Sequence, residues 1–315
     1  MQTLEKNTLK SALNEKPGFH IWCRLLRPHT LTASFVPVFI GTMLAVLDQS
    51  FHLLLFLAML LASMLIQSAT NMFNEYYDFK RGLDNENSVG IGGTIVRDGV
   101  APKTVLRLAL SFFGTSILLG VYICIQSNWW IALIGSFCML CGYFYTGGPY
   151  PIAYTPLGEL VSGFFMGPVI ILISYFIQTG AITTQTVLVS IPVGIFIGMI
   201  MLANNIRDLQ GDKQNGRKTI AILVGHDRAV TLLWSCFIIS FAITFLYILL
   251  GMLPVWSLIT LLAVKKAHTA YQGFKGKSKS IEMVPAMIAA AQTNTFYGLL
   301  LGLSLLLQVL IDVSL

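Results

Sequence analysis

Two stretches of this chain set carboxylates, carboxamides and cations at helical spacing. The first reads Asn71-Met72-Phe73-Asn74-Glu75-Tyr76-Tyr77-Asp78-Phe79-Lys80-Arg81-Gly82-Leu83-Asp84. The second reads Asn204-Asn205-Ile206-Arg207-Asp208-Leu209-Gln210-Gly211-Asp212. On a helix, Asn71, Asn74 and Asp78 share one face at i, i+3 and i+7, and Asn204, Asp208 and Asp212 share another at i, i+4 and i+8. Asn74 and Asp78 precede Asn204 and Asp208 by 130 residues with the same four-residue gap. Both segments run on into glycine, basic residues and a Thr-Ile pair, Thr94-Ile95 and Thr219-Ile220. This reads as an internal parallel repeat that brings two carboxylate faces to one mouth of a helical bundle. Such oxygen donors suit a hard cation: Mg²⁺ takes one or two protein carboxylates and completes its shell with water and substrate phosphates. The interleaved Arg and Lys suit phosphate oxygens.

The elements that must position these groups are membrane spans. The chain has 315 residues, 55% hydrophobic and 11% charged, with mean hydropathy +0.74. A soluble domain carries about 25% charged residues, which excludes a soluble two-domain enzyme. Abundant Phe, the lack of a G-X-Y period and five Cys exclude a disordered chain, a collagen and a disulfide scaffold. Apolar runs predict helices at 31–47, 52–73, 105–126, 129–146, 157–178, 186–204, 229–250, 251–264 and 290–311, about 20 residues sufficing to cross the hydrocarbon. The fold class is an all-α integral membrane protein, about nine transmembrane helices in a single bundle with two pseudo-repeated Asp-motif halves. Residues 1–20 read as a polar cytosolic extension with no apolar signal-peptide core, and residues 21–315 as one transmembrane domain.

The net charge of +6 is no nucleic-acid footprint. All 20 Lys and Arg fall in four groups of five, at 1–30, 80–107, 207–228 and 265–279. With nine spans these segments share one side. The positive-inside rule makes that side cytoplasmic and the N-terminus cytoplasmic with it. Eight of the 14 acidic residues fall in the two cytoplasmic segments that begin where the second and sixth spans end: Glu75, Asp78, Asp84, Glu86, Asp98, Asp208, Asp212 and Asp227. Charged helix ends are the ordinary edge of a membrane protein. Two related clusters facing a bundle interior point instead to function. A diphosphate site at a membrane mouth fits a substrate with an anionic head and an apolar tail, such as a polyprenyl diphosphate. Cations would stabilise the departing diphosphate, and an aromatic ring would capture the allylic cation away from water.

The chain resembles the UbiA superfamily of intramembrane aromatic prenyltransferases, which carry Asp-rich motifs at the ends of the second and sixth of nine helices. Within it the chain is similar to the MenA type, which prenylates 1,4-dihydroxy-2-naphthoate. The likeness rests on Arg27-Pro28-His29-Thr30-Leu31-Thr32, the first Asp motif with Gly92-Gly93-Thr94, and Gly142-Tyr143-Phe144-Tyr145-Thr146-Gly147-Gly148-Pro149. It continues in Leu157-Gly158-Glu159, the second motif through Gly216-Arg217-Lys218-Thr219, and Ala291-Gln292-Thr293-Asn294-Thr295. Glu75 stands where the usual pattern has Asp, and Gly82 where the wider superfamily has a third Asp, with Asp84 two residues on.

The resemblance implies that Asn74, Asp78, Asp208 and Asp212 hold Mg²⁺ and the diphosphate, assisted by Glu75 and Asp84. Arg207, Arg217 and Lys218, with Lys80, Arg81, Arg97 and Asn204, would bind the diphosphate. Tyr143, Tyr145 and Glu159 are candidates for the acceptor, although a Tyr at an interface also serves as a belt anchor and Glu159 also suits a helix N-terminus. The implied reaction joins a polyprenyl chain to dihydroxynaphthoate with loss of its carboxyl group, giving demethylmenaquinol at a bacterial inner membrane, with the site open to the cytoplasm. Other readings are a 4-hydroxybenzoate or haem prenyltransferase, a secondary transporter, whose site belongs near mid-membrane, and a non-catalytic scaffold. His29, His226 and His268 read as polar interface residues, Cys138 and Cys141 as small core residues, and Trp129-Trp130 as an outer anchor. The Lys residues at 265–279 obey the topology rule. Gly90-Ile91-Gly92-Gly93 is a weak phosphate loop.

Overall fold

The computed structural model describes residues 18–84 and 93–314. Most of the expected 1–20 extension, Glu86 and the Gly90-Ile91-Gly92 run lie outside the described residues. The described residues form helices and connections, with no strand among them. In order they are α1 (Phe19–Leu26), α2 (Thr32–Leu47), α3 (Leu53–Lys80), α4 (Pro102–Gln126), α5 (Trp130–Thr146) and α6 (Gly158–Thr179). Then come α7 (Thr184–Gln214), the short α8 (Ile220–Val224), α9 (His226–Leu249), α10 (Val264–Phe274) and α11 (Ser280–Ser314). Six helices are long and apolar enough to cross a membrane, namely α3, α4, α6, α7, α9 and α11. The chain is a multi-pass membrane protein. The shorter α2 and α5 are also apolar, and a 3₁₀ helix, Val255–Ala263, runs directly into α10.

Helix α7 is the axis of the bundle. In its most apolar stretch 72% of residues are buried, against 22–39% in the other long helices. Helix α6 reaches it backbone to backbone. A Cβ on Gly167 would stand 2.4 Å from the Cα of Gly194, so no larger residue fits there. Within α6, Pro168 lacks an N–H and sits in a π-turn, Phe165–Val169, which absorbs the missing bond. Phe196 of α7 packs against Phe241 and Tyr297 with ring centroids 5.2 and 4.5 Å away, joining α7 to α9 and α11.

The helices that carry the motifs outrun the predicted spans, α3 to Lys80 rather than 73 and α7 to Gln214 rather than 204. Both motifs are therefore helical, and both helices close alike. Beyond α3, Gly82 has φ 74° and the Leu83 N–H returns to the Asp78 carbonyl at 2.9 Å. Beyond α7, Gly216 has φ 75° and the Arg217 N–H returns to the Asp212 carbonyl at 3.0 Å. Each is a glycine-closed end in which the next N–H satisfies an orphan carbonyl of the last turn. The shared cap pairs Asp78 with Asp212 and Asn74 with Asp208, a register four residues away from the Asn-to-Asn match that the sequence suggests.

Candidate functional site

Those two caps fix the geometry. The turn at Gly216 aims Arg217 back between the helix ends, where its Nη2 donates to both oxygens of Asp78 at 3.0 Å and its Nη1 lies 3.0 Å from Asp212 Oδ1. One guanidinium thus ties a carboxylate of each half. Its other face lies over the Tyr154 ring, 4.7 Å from the centroid. Burial opposes the charge on Arg217, but Asp78 and Asp212 outweigh it and raise its pKa further. Arg207 grips the neighbouring Asp208, Nε donating to Oδ1 at 2.8 Å and Nη2 to Oδ2. On α3, Asn74 Nδ2 donates to Asp78 Oδ2 at 3.0 Å and its Oδ1 accepts from Arg27 Nη1 at 3.0 Å.

Arg27 comes from the α1–α2 turn and holds a left-handed backbone, φ 52°, a conformation that costs a non-glycine residue about 1 kcal/mol or more. Asn71 steadies this turn, its Nδ2 donating to the Leu26 carbonyl at 3.1 Å and to Thr30 Oγ1 at 3.0 Å.

Arg27, Asn74, Asp78, Arg207, Asp208, Asp212 and Arg217 line a cavity of about 390 Å³. Its described walls carry four guanidinium groups, Arg27, Arg97, Arg207 and Arg217, and four carboxylates, Asp78, Asp84, Asp208 and Asp212. Their formal charges cancel. His29 also lines it; burial, then Arg27 and Arg207, push its pKa down to about 3, so the ring stays neutral. Burial raises Asp84 to about 6, with Asp78 and Glu75 adding to the rise and Arg27 and Arg217 opposing it. A second cavity of about 330 Å³ runs down among the apolar faces of α3–α7. Six residues line both: Arg27, Thr30, Asn74, Tyr145, Met201 and Asn204. The polar chamber and the apolar groove adjoin at them.

Of the residues singled out in the sequence, Asn74, Asp78, Asp84, Arg97, Asn204, Arg207, Asp208, Asp212, Arg217 and Tyr145 line the polar chamber. Six others do not. Glu75 is buried, and its Oε1 accepts from Thr94 Oγ1 at 2.5 Å and the Ile95 N–H at 3.0 Å. It ties down the loop that carries Arg97. Arg81 donates to the carbonyls of Thr146 and Gly148 at 2.6 and 2.7 Å, fastening α3 to the α5–α6 connection. Lys80 and Lys218 are exposed. The Tyr143 hydroxyl pairs with that of Tyr77 at 2.6 Å within an aromatic cluster. Glu159 accepts from Asn205 Nδ2 at 2.9 Å, so it acts on the chamber through Asn205, which lines it.

Sequence reasoning missed Arg27, Thr30, His29 and Asn205 as site residues. The first three stand in the quoted Arg27–Thr32 run and Asn205 inside the second motif, so the signal was present without a role.

A divalent cation can be tested against this chamber. Among the described residues no three His, Cys, Asp or Glu side chains converge as a ready ligand set. The donors are all oxygen, however, and Asp212 Oδ2 is buried with no hydrogen-bond partner. Mg²⁺ needs only one or two protein carboxylates when phosphates supply the rest. The residues fit an ion that arrives with a phosphorylated substrate.

The UbiA prenyltransferase family model matches residues 34–283. The chain is 55% identical over 294 residues to the 1,4-dihydroxy-2-naphthoate octaprenyltransferase of Bacillus subtilis strain 168, covering 93% of this chain and 94% of that protein. Its fold is similar to that of a UbiA homologue from Aeropyrum pernix K1, with a TM-score of 0.66 and 16% identity over 89% of this chain and 98% of that one. It is also similar to a UbiA homologue from Archaeoglobus fulgidus bound to GPP and Mg²⁺, with a TM-score of 0.59 and 15% identity over 89% and 99% of the two chains.

Proposed function

Because the chain belongs to the UbiA prenyltransferase family, we propose that it transfers a polyprenyl chain from a polyprenyl diphosphate to 1,4-dihydroxy-2-naphthoate, a step of menaquinone biosynthesis. One observation carries the reading: a polar chamber of balanced Arg and Asp adjoins an apolar groove at six shared residues. That is the shape of a substrate with an anionic head and a hydrocarbon tail. The bond to be broken joins the two parts, so it belongs at the junction lined by Arg27, Asn74, Tyr145 and Asn204.

Arg27, Arg97, Arg207 and Arg217 donate hydrogen bonds to the diphosphate oxygens. The chamber's own charges cancel, so the diphosphate's negative charge calls for an accompanying cation. Asp78, Asp84, Asp208 and Asp212, with Asn74 and Asn204, would hold Mg²⁺ there. The metal would supply Lewis-acid stabilisation of the leaving diphosphate. When the carbon–oxygen bond opens, its electron pair stays on the diphosphate, where the guanidinium groups stabilise the growing charge. The allylic cation is left facing the apolar groove, away from water. The electron-rich ring of the acceptor attacks it, a carbon–carbon bond forms, and loss of CO₂ returns the ring to aromaticity.

We read the architecture as nine crossings: the six long helices, α2, α5, and the Val255–Ala263 helix with α10. Residues 21–315 form one catalytic membrane domain. Support for a cytoplasmic chamber and N-terminus is that the chamber lies at the helix ends carrying Lys80, Arg81, Arg207 and Lys213. In a bacterial plasma membrane this gives the chamber access to soluble acceptor.

The test is product formation by the purified protein in lipid, from labelled polyprenyl diphosphate and a panel of acceptors. Prenylated product is expected with dihydroxynaphthoate, and it is lost with a chelator or with Asp78→Ala or Asp208→Ala. Product with 4-hydroxybenzoate or haem alone would reassign the acceptor. Full activity in both variants would remove the proposed metal site.

A further inference from the structure

Two sets of partners compete for Arg217. In the structure its Nη2 and Nη1 go to Asp78 and Asp212. Both oxygens of Asp78 are thereby taken, Oδ2 by Asn74 as well. Donor binding asks the reverse. The same guanidinium must donate to the diphosphate, and the same carboxylates must serve the cation that accompanies it. A side chain that exchanges partners in this way needs a hold that uses none of its N–H groups.

The connection 147–157 between α5 and α6 supplies one. Its 3₁₀ turn, Ile152–Tyr154, sets the Tyr154 ring against Arg217, with Cζ 4.7 Å from the ring centroid. An aromatic face attracts a cation through its quadrupole and takes up no donor. Arg217 Nε is buried and has no hydrogen-bond partner, so the guanidinium still has a donor uncommitted. The Tyr154 hydroxyl is likewise buried without a partner. The ring is there for its face and not for its oxygen.

The ring itself is well fixed. The Tyr154 carbonyl accepts from the Lys218 N–H at 2.8 Å, and the Tyr154 N–H donates to the Pro151 carbonyl at 3.0 Å. Arg81, which clamps the start of the connection through the Thr146 and Gly148 carbonyls, also lies over the Tyr154 ring, 5.4 Å from its centroid. One ring thus meets a cation from beyond each motif helix. It stands at the chamber wall, which the preceding residue, Ala153, lines.

Resting on the polyprenyl-transfer reading, we propose that Tyr154 is a positioning residue for the donor: its ring is the fixed pivot on which Arg217 turns from Asp78 and Asp212 to the diphosphate. Without donor, the two carboxylates hold Arg217 whether or not the ring is present. With donor, they let go, and the ring is what remains of the original hold. Loss of the ring therefore weakens the donor complex and leaves the free protein little changed.

That difference is the experiment. Tyr154→Leu removes the aromatic face; Tyr154→Phe keeps the face and removes only the partnerless hydroxyl. Each full-length variant is compared with wild type in lipid. A two-unit prenyl diphosphate with Mg²⁺ is titrated for its Kd and for the rise in melting temperature it induces. Steady-state kinetics then separate the donor KM from the acceptor KM. The Leu variant is expected to bind donor about tenfold more weakly. Its donor KM rises to match, its acceptor KM is unchanged, and its ligand-free melting temperature stays near that of wild type. The Phe variant restores the donor values. An unchanged donor Kd in the Leu variant, an equal loss in the Phe variant, or equal rises in both KM values would overturn the proposal. Tyr154→Met repeats the comparison with a more pliable side chain, so a folding failure of the Leu variant does not end the test. Wild type that binds the diphosphate but prenylates no acceptor would remove the transferase reading and leave the pivot to the binding titration. Wild type that does not bind it would overturn both.

Discussion

Replacing Arg217 with Met removes a cation bonded to a carboxylate of each half. The side chains of Asp78 and Asp212 are each only 10% exposed, and that of Arg217 13%, so solvent does little to screen the two charges left behind. Taking one partner out of a buried ion pair leaves an uncompensated charge, at a cost of about 3–5 kcal/mol. Here two carboxylates are stranded together, which argues for the upper part of that range. At about 2–4 °C per kcal/mol, the variant melts roughly 10–20 °C below wild type in the same detergent. A compensating change sharpens the test. Asp78→Asn in the Arg217→Met background removes one stranded charge, so the double variant is more stable than additivity allows, with a coupling of about 1–3 kcal/mol. Activity does not return with stability, because the guanidinium that binds diphosphate is still absent. The reasoning is refuted if Arg217→Met melts within a degree or two of wild type, or if the two substitutions add.

The neutral His29 gives a pH signature. The unfolded chain takes up a proton below its ordinary pKa of 6.5, the folded protein only near 3. Stability therefore falls as pH drops through that window, by up to about 1.4 kcal/mol per pH unit. His29→Gln should flatten this acid limb in a plot of melting temperature against pH. Glu75→Ala frees the Thr94–Ile95 loop and with it Arg97; donor KM should rise about tenfold, partly rescued by Glu75→Gln, which keeps one acceptor oxygen. Tyr143→Phe loses only the hydroxyl pair with Tyr77, so steady-state kinetics should give an unchanged acceptor KM with about 1 kcal/mol less stability. Tyr145→Ala, at the junction, should lower kcat/KM.

The bundle was legible because lipid imposes long apolar runs that need no tertiary context to read. The chamber's acids were legible from motif spacing, and the family resemblance named three of its four arginines, Arg97, Arg207 and Arg217. Four things were not. Glu75 and Asp78 look alike in sequence, and only the turn at 93–95 shows that one faces the loop while the other faces the chamber. Arg81, Lys80 and Lys218 sit among functional residues, yet a cation's direction at a helix end depends on which carbonyls come near. The repeat was read one helical turn out of register, because matching Asn to Asn is a stronger sequence signal than matching two glycine caps. The caps, not the side-chain identities, determine where each carboxylate points. Arg27 was hidden for a similar reason: its left-handed turn brings in a residue from a different part of the chain.

The cancellation of charge in the chamber has a kinetic consequence. A site lined by unopposed arginines would gather anions from solution over a Debye length, and its association rate would fall steeply with salt. Four guanidinium groups facing four carboxylates project little field beyond their own walls. Free phosphate and nucleotides are therefore not drawn in from the aqueous phase. A polyprenyl donor already lies in the bilayer, where it diffuses in two dimensions and meets the protein tail first. Capture by the hydrocarbon and recognition by the head become separate events, and only the second should be sensitive to ionic strength.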